Sequence, residues 1–341
     1  MPLLHSTDSQ MKVKRNFFFF VTHTIALFFV THSILAMAGE EITFSNGSCI
    51  LSGTLLTPRG SGPFAAAVFI HGSGAEDRSN SKELAKDFVS HGYAALIYDK
   101  RGVGKSGGDP KSVQYFSFED LANDAVAATQ FLSTRPEIDS KRIGLVASSQ
   151  GGWVASLTVN KNQAIAFMVI ISGSVTTVAE DNLFERSARL RKEGFDESSI
   201  AQANEMHLID LEVSRNGSGF EKYQTLWEQN KTAPWFKRVY LSADPIPIDH
   251  PYRRWYRTVM DFDPVKNLEK LETSILWIYG DAALDQFCPV DQSMKAIEVL
   301  RLAGKNYEVK TFPDANHSLM IGSKRAPIDE TIFEWLKKKS Y

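Results

Sequence analysis

Two hydrophobic rhythms alternate along the chain. Short runs, apolar at nearly every position, stand at Ala65 to Ile70, Ala94 to Tyr98, Ile143 to Ala147, Ile165 to Ile171, Ile275 to Tyr279 and Tyr307 to Phe312. Runs of this length predict strands buried on both faces, as in a parallel sheet. Between them lie stretches of helical period at Ser81 to Ser90, Phe118 to Ser133, Gly151 to Val159, Val290 to Leu302 and Pro327 to Lys339. These predict helices that cover the two faces. Ser117 followed by Asp120 resembles a capping box at the start of the second helix. Near the amino end, Glu41 to Ser45 and Ile50 to Thr57 flank Asn46-Gly47-Ser48, which predicts an antiparallel hairpin. The pattern as a whole reads as α/β, with a mostly parallel eight-stranded sheet and helices on both faces.

One interval breaks the rhythm. Between Ile171 and Ile275 the sequence offers no clear buried strand, and the gap is too long for a loop. Helical stretches at Asn182 to Glu193 and Ser198 to Val213 predict a helical cap inserted as residues 174–262, with the body made of residues 39–173 and 263–341. The insertion holds Trp227, Trp235, Phe236, Tyr240, Tyr252, Trp255 and Tyr256. Such aromatics ordinarily pack a cap onto its body, and a cap over a site also lines it and excludes water. Arg253, Arg254 and Arg257 read as a solvated helix face, the alternative being contact with an acidic substrate group.

Composition narrows the classes of function. The 341 residues are 43% hydrophobic and 23% charged with a formal net charge of -2, so nothing marks the chain as disordered or as a nucleic-acid binder. Cys49 and Cys288 are too few for a disulfide framework, lack the spacing of a zinc site, and read as free thiols. Residues 1–38 read as an address: Lys12, Lys14 and Arg15 precede the apolar run Phe17 to Leu35, then Ala36-Met37-Ala38. Export to a periplasm or outside the cell, with cleavage after Ala38, is the expectation, with Met11 an alternative start. Retention of the segment as a membrane anchor is the other reading, and the only one in which a membrane is a partner. Asn316-His317-Ser318 is a formal glycan acceptor, as are three other sites. A glycan there would obstruct the residue assigned below as a base, which favours a bacterial envelope.

The candidate chemistry starts at Ser149, in Val146-Ala147-Ser148-Ser149-Gln150-Gly151-Gly152 directly behind an apolar strand. A serine on a tight strand-to-helix turn needs small residues two positions to either side. Gly151 and Ala147 meet this for Ser149, whereas Ser148 would have Val146 and Gln150. Its base and orienting acid are sought in later strand-end loops, where His317 follows the last strand and Asp285 follows the one before it. Taken singly, a serine in such a place is usually a helix cap, a histidine a satisfied polar group and an aspartate a turn former. Together, in the order Ser, Asp, His, they point to nucleophilic catalysis. Asp281, just after Gly280, competes with Asp285 for the acid.

With these residues in place the chain resembles the α/β-hydrolase family, from about Glu41 to the end. Within it, the chain is similar to exported esterase-like serine hydrolases with a helical cap, related to the serine aminopeptidase-like group. His71-Gly72-Ser73-Gly74 resembles the family's oxyanion loop, and Asp99 to Ser106 its D-x-R-G-x-G-x-S turn. Asp285 with Pro289 four residues on resembles its D-x-x-V-P turn, Cys288 replacing valine, which favours Asp285 over Asp281. The resemblance implies an oxyanion hole from the backbone N–H groups of Ser73 and Gln150, a structural role for His71 beneath that loop, and turn-holding backbone bonds from Asp99, Arg101 and Ser106. It implies a carboxylesterase acting on a small-molecule ester or acyl substrate through an acyl-enzyme, with no cofactor and no metal. A peptidase or amidase of the aminopeptidase type is the alternative, and a non-catalytic binding protein on the same fold a further one. Ser149 excludes the haloalkane and epoxide chemistries of this fold, which need an acid as nucleophile.

Overall fold

The structure is a computed structural model and describes residues 39–239, 242 and 244–341. The leader expected at residues 1–38, and Tyr240 of the aromatic group, lie outside the described residues.

Among the described residues, eight strands form one sheet: β1 Gly39–Asn46, β2 Cys49–Leu56, β3 Phe64–Ile70, β4 Ala94–Tyr98, β5 Ile138–Ser148, β6 Phe167–Ile171, β7 Ser274–Tyr279 and β8 Tyr307–Thr311. Their spatial order is β1-β2-β4-β3-β5-β6-β7-β8. β1 and β2 pair antiparallel as a hairpin with Asn46 opposite Cys49, β2 meets β4 antiparallel, and every later pairing is parallel. β5 begins five residues ahead of its apolar run, because the polar stretch Asp139 to Arg142 continues the strand at the sheet's rim with its side chains exposed or half-buried.

Both faces of the parallel strands are covered, which is why their sequences are apolar throughout. In β3, Val68 and Ile70 join the core beneath α2 Phe118–Ser133 and α3 Gly151–Lys161, while Ala67 and Phe69 join the opposite core beneath α1 Lys82–Ser90. This alternation is the two-residue period of a strand read on two buried sides. Ser117 and Asp120 cap α2 reciprocally, as their spacing predicts.

Between β6 and β7 come α4 Val178–Lys192, α5 Glu197–Asn216, α6 Phe220–Asn230, α7 Phe236–Val239 and α8 Pro251–Val259. Leu190, Ile200, Met206, Tyr223, Trp227 and Trp235 make a separate apolar cluster among these helices. One sequence reading fails here. Arg253 is fully buried, not solvated, and its guanidinium lies 2.8 Å from the Asp210 carboxylate. It also donates to Ser214 Oγ at 2.7 Å and to the Ile246 carbonyl at 3.1 Å. Asp210 and Ser214 lie on α5, some forty residues earlier, so no local pattern announces the pair. α9 Pro264–Leu268 then leads into β7, and α10 Val290–Leu302 and α11 Ile328–Lys338 follow β7 and β8.

Candidate active site

β3, β5, β7 and β8 run parallel, so the loops behind them open at one end of the sheet. Ser149 follows β5 in the left-handed region at φ 51°, a conformation that strains any residue with a Cβ. Its N–H is held by the Ile171 carbonyl at 2.8 Å. Gly151 is required behind it, since a Cβ there would stand 2.8 Å from the His71 carbonyl oxygen. Ser148, the neighbouring hydroxyl, is exposed at the end of β5.

His317 Nε2 lies 3.2 Å from Ser149 Oγ, and its Nδ1 lies 2.9 Å from each carboxylate oxygen of Asp285. The sequence-predicted serine, histidine and acid are therefore brought together in one hydrogen-bonded row. Asp285 is 2% exposed, and its Oδ1 also accepts the N–H groups of Phe287 and Cys288, each at 2.9 Å. Those bonds fix the carboxylate beneath the imidazole. Ser172 Oγ donates to the His317 carbonyl at 2.7 Å, which ties down the loop carrying the ring. Asp281, the competing acid, spends one oxygen on the Ala283 N–H at 2.9 Å and shapes the Asp285 loop instead.

The loop behind β3 lies alongside, with the Gly72 backbone close enough that an added Cβ would be 3.5 Å from Ser149 Cβ. The N–H groups of Ser73 and Gln150 have no protein acceptor among the described residues, and both residues line the same cavity as Ser149. The Gly72 N–H donates to Glu76 Oε2 at 2.9 Å. His71 is buried edge-on against Tyr98, with ring centroids 4.9 Å apart. Burial, and then the charge of Lys100, hold it down to a pKa of about 4, so it stays neutral beneath the loop.

Asp99 accepts the Lys105 N–H at 2.9 Å, and Ser106 Oγ donates to the Asp99 carbonyl at 2.6 Å, so these two hold the turn behind β4. Arg101 departs from the expectation. Its guanidinium reaches Asp124 on α2, at 2.6 and 2.5 Å, and ties the turn to that helix instead of to backbone.

The cavity over Ser149 and His317 has a volume of about 600 Å³. Val178, Asp181, Asn182 and Glu185 of α4 and Trp255 of α8 close one side of it. Of the aromatics noted in the insertion, Trp255 lines this space, whereas Trp227, Trp235 and Phe236 are buried among the inserted helices. The sequence reading missed the carboxylates of the lining: Asp181, Glu76, which accepts the Gly72 N–H, and Glu185, which pairs with Arg189 one turn on. Asp181 Oδ1 is buried without a hydrogen-bond partner, and burial raises the carboxyl to a pKa of about 7. The signal for this pair was present as two acids four residues apart, which share one face of a helix.

A family model described as serine aminopeptidase, S33, matches residues 61–324. The chain belongs to that family. Among relatives of this S33 protein, esterase EstD of Thermotoga maritima is 23% identical over 298 residues, covering 84% of this chain and 61% of EstD. Thiohydrolase apmlB of Arthrinium phaeospermum is 27% identical over 211 residues, covering 58% of this chain and 67% of its own. The match thus spans about two thirds or less of either relative's length. The structure of the Pyrococcus furiosus esterase Pf2001 superposes at a TM-score of 0.57 with 17% identity, covering 89% of this chain and 91% of that one. The mostly parallel sheet of this S33-family chain is thus the α/β-hydrolase fold.

Proposed function

We propose that the protein is a serine hydrolase that cleaves carboxylic esters through an acyl-enzyme on Ser149. The observation that carries this reading is the row from Ser149 Oγ through the His317 ring to the buried Asp285 carboxylate. In the proposed cycle His317 Nε2 takes the serine proton as Oγ bonds to the acyl carbon. The Ser73 and Gln150 N–H groups receive the charge that develops on the carbonyl oxygen. The C–O bond to the alcohol then breaks, and His317 returns its proton to the departing oxygen. Water attacks the acyl-enzyme with His317 again as base, and the acid and free Ser149 are released. The esterase names carried by EstD and Pf2001 agree with this chemistry. The residues 12–38 pattern supports the accompanying proposal that the protein is exported.

A second reading rests on the acidic lining. Asp181, with a buried oxygen that has no hydrogen-bond partner, and Glu185 beside it on the cavity wall favour a substrate that brings a cationic amine, as an aminoacyl ester or a peptide amino terminus does.

The test of the leading reading uses purified protein with p-nitrophenyl butyrate and a serine-directed fluorophosphonate, beside Ser149→Ala. Turnover and labelling in the wild type, both absent in the variant, are expected. Hydrolysis that survives in Ser149→Ala removes the assignment, and a wild type inert to both reagents favours a binding role for the fold.

A further inference from the structure

We propose that Lys100 is a positioning residue for the oxyanion donors, its ammonium holding the Gly72–Ser73 peptide and the Gln150 side chain from behind. The inference rests on the hydrolytic reading of Ser149. Lys100 follows β4 and is 3% exposed. Its Nζ donates to the Gly72 carbonyl at 2.7 Å, the Gly74 carbonyl at 3.1 Å and Gln150 Oε1 at 3.2 Å. All three ammonium protons are thereby used, on neutral oxygens and not on a carboxylate. A buried cation spent on two loop carbonyls and one amide is poorly explained as a stabilising ion pair.

Its geometry relative to the loop supplies the role. In a planar trans peptide the carbonyl and the following N–H point to opposite sides. Anchoring the Gly72 oxygen therefore fixes where the Ser73 N–H points. A positive charge at that oxygen also polarises the peptide and strengthens its N–H as a donor. The preceding peptide is held by Glu76 at the Gly72 N–H, so the loop is fastened on both sides of Gly72. The contact to Gln150 reaches the residue that carries the second donor, linking the two halves of the hole through one ammonium.

Four ionisable side chains surround the lysine. Glu76 is the carboxylate whose charge favours the ammonium; His71 is neutral with a pKa of about 4, and Tyr98 is pushed well above its ordinary value by burial. Asp124 on α2 shares a small void with Lys100 and is paired with Arg101. Burial lowers Lys100 to a pKa of about 8, which places loss of its charge within reach of an assay.

The test follows p-nitrophenyl butyrate hydrolysis by wild type and Lys100→Met from pH 7 to 10, together with inhibition by a trifluoromethyl ketone, which forms the oxyanion. Lys100→Met is expected to lose about 100-fold in kcat with KM changed less than about threefold. Its affinity for the ketone should fall by the same factor as kcat, with Tm lowered because two loop carbonyls and an amide oxygen lose their donor. Wild-type kcat should decline about fivefold above pH ~8, and the variant should lack that limb. A variant that keeps its kcat and ketone affinity within about threefold of wild type overturns the proposal while leaving Ser149 chemistry intact. So does a kcat loss matched by a raised KM and unchanged preference for the ketone, which is generic support. Inert wild type defeats the hydrolytic reading itself.

Discussion

Gly151 packs directly beneath His71: a Cβ on the glycine would come within 2.8 Å of the His71 carbonyl oxygen and 2.9 Å of that of Ile70. The serine turn and the loop behind β3 are thus pressed together through backbone, with no side chain to yield. Ala147, on the opposite flank of the serine, is buried in the core at 1% exposure and fits there as a methyl group.

Gly151→Ala must push the two loops apart. It should cost about 1–3 kcal/mol in urea unfolding and reduce kcat at least about tenfold. Ala147→Gly restores the small residue usual at that flank, yet should lose about 0.5–1 kcal/mol and leave kcat within about twofold. Unfolding curves and initial rates on both variants check the asymmetry.

The two candidate acids separate cleanly by neighbour. Asp285→Asn keeps a side chain of the same shape but favours the wrong imidazole tautomer, and kcat should fall about 10³–10⁴-fold with KM little altered. Asp281→Asn leaves the imidazole's partner in place, its oxygens meeting only the Ala283 and Asp314 N–H groups, and should change kcat by less than about fivefold. A reversal of these two effects would move the orienting role to Asp281.

His71 ties acid stability to its burial. The unfolded chain takes up this proton near pH 6.5 and the folded protein only near pH 4, so the unfolded state binds more protons between them. Stability is therefore lost as pH falls through that window, by about 3 kcal/mol, and the loss levels off below it. His207, buried among the inserted helices and held well below its ordinary value first by burial, adds a loss of the same sign. Urea unfolding at pH 7 and pH 4 should show His71→Asn less sensitive to acid than wild type by about that amount; equal sensitivity contradicts a neutral buried imidazole.

The cavity's carboxylates predict a preference that can be read by competition. If an amine is gripped there, an aminoacyl p-nitrophenyl ester should be preferred over its des-amino analogue, and Asp181→Asn or Glu185→Gln should cut that ratio about tenfold. Because burial holds Asp181 at a pKa of about 7 and a substrate α-ammonium loses its proton near pH ~8, the preference should peak around neutrality, where the carboxylate has ionised and the amine is still charged. An unchanged ratio in both variants leaves the simple ester reading alone.

What the sequence made legible, and what it did not, divides along physical lines. Apolar runs located the strands because burial on two faces leaves a mark at every position, and chain order after each strand placed Ser149, Asp285 and His317 at one end of the sheet. Gly151 was legible because a close backbone approach admits one residue type. Arg253 was not, since its burial depends on Asp210 and Ser214 from another helix, and an arginine next to two more on a helix reads as solvated. Asp181 and Glu185 sit on α4 with the local signature of an ordinary surface acid pair; only the packing of α4 over the site turns them inward. Lys100 is hidden in the same way, within a turn whose glycines and Asp99 draw attention and whose partners, Gly72, Gly74 and Gln150, come from two other loops.

Peptide mass mapping after reaction with a fluorophosphonate tests the central claim most directly, because it asks which hydroxyl the imidazole at 317 activates. One adduct on Ser149 is predicted in the wild type, and none in His317→Ala over the same time. An adduct on Ser148, or labelling of Ser149 at the same rate without His317, would contradict the account.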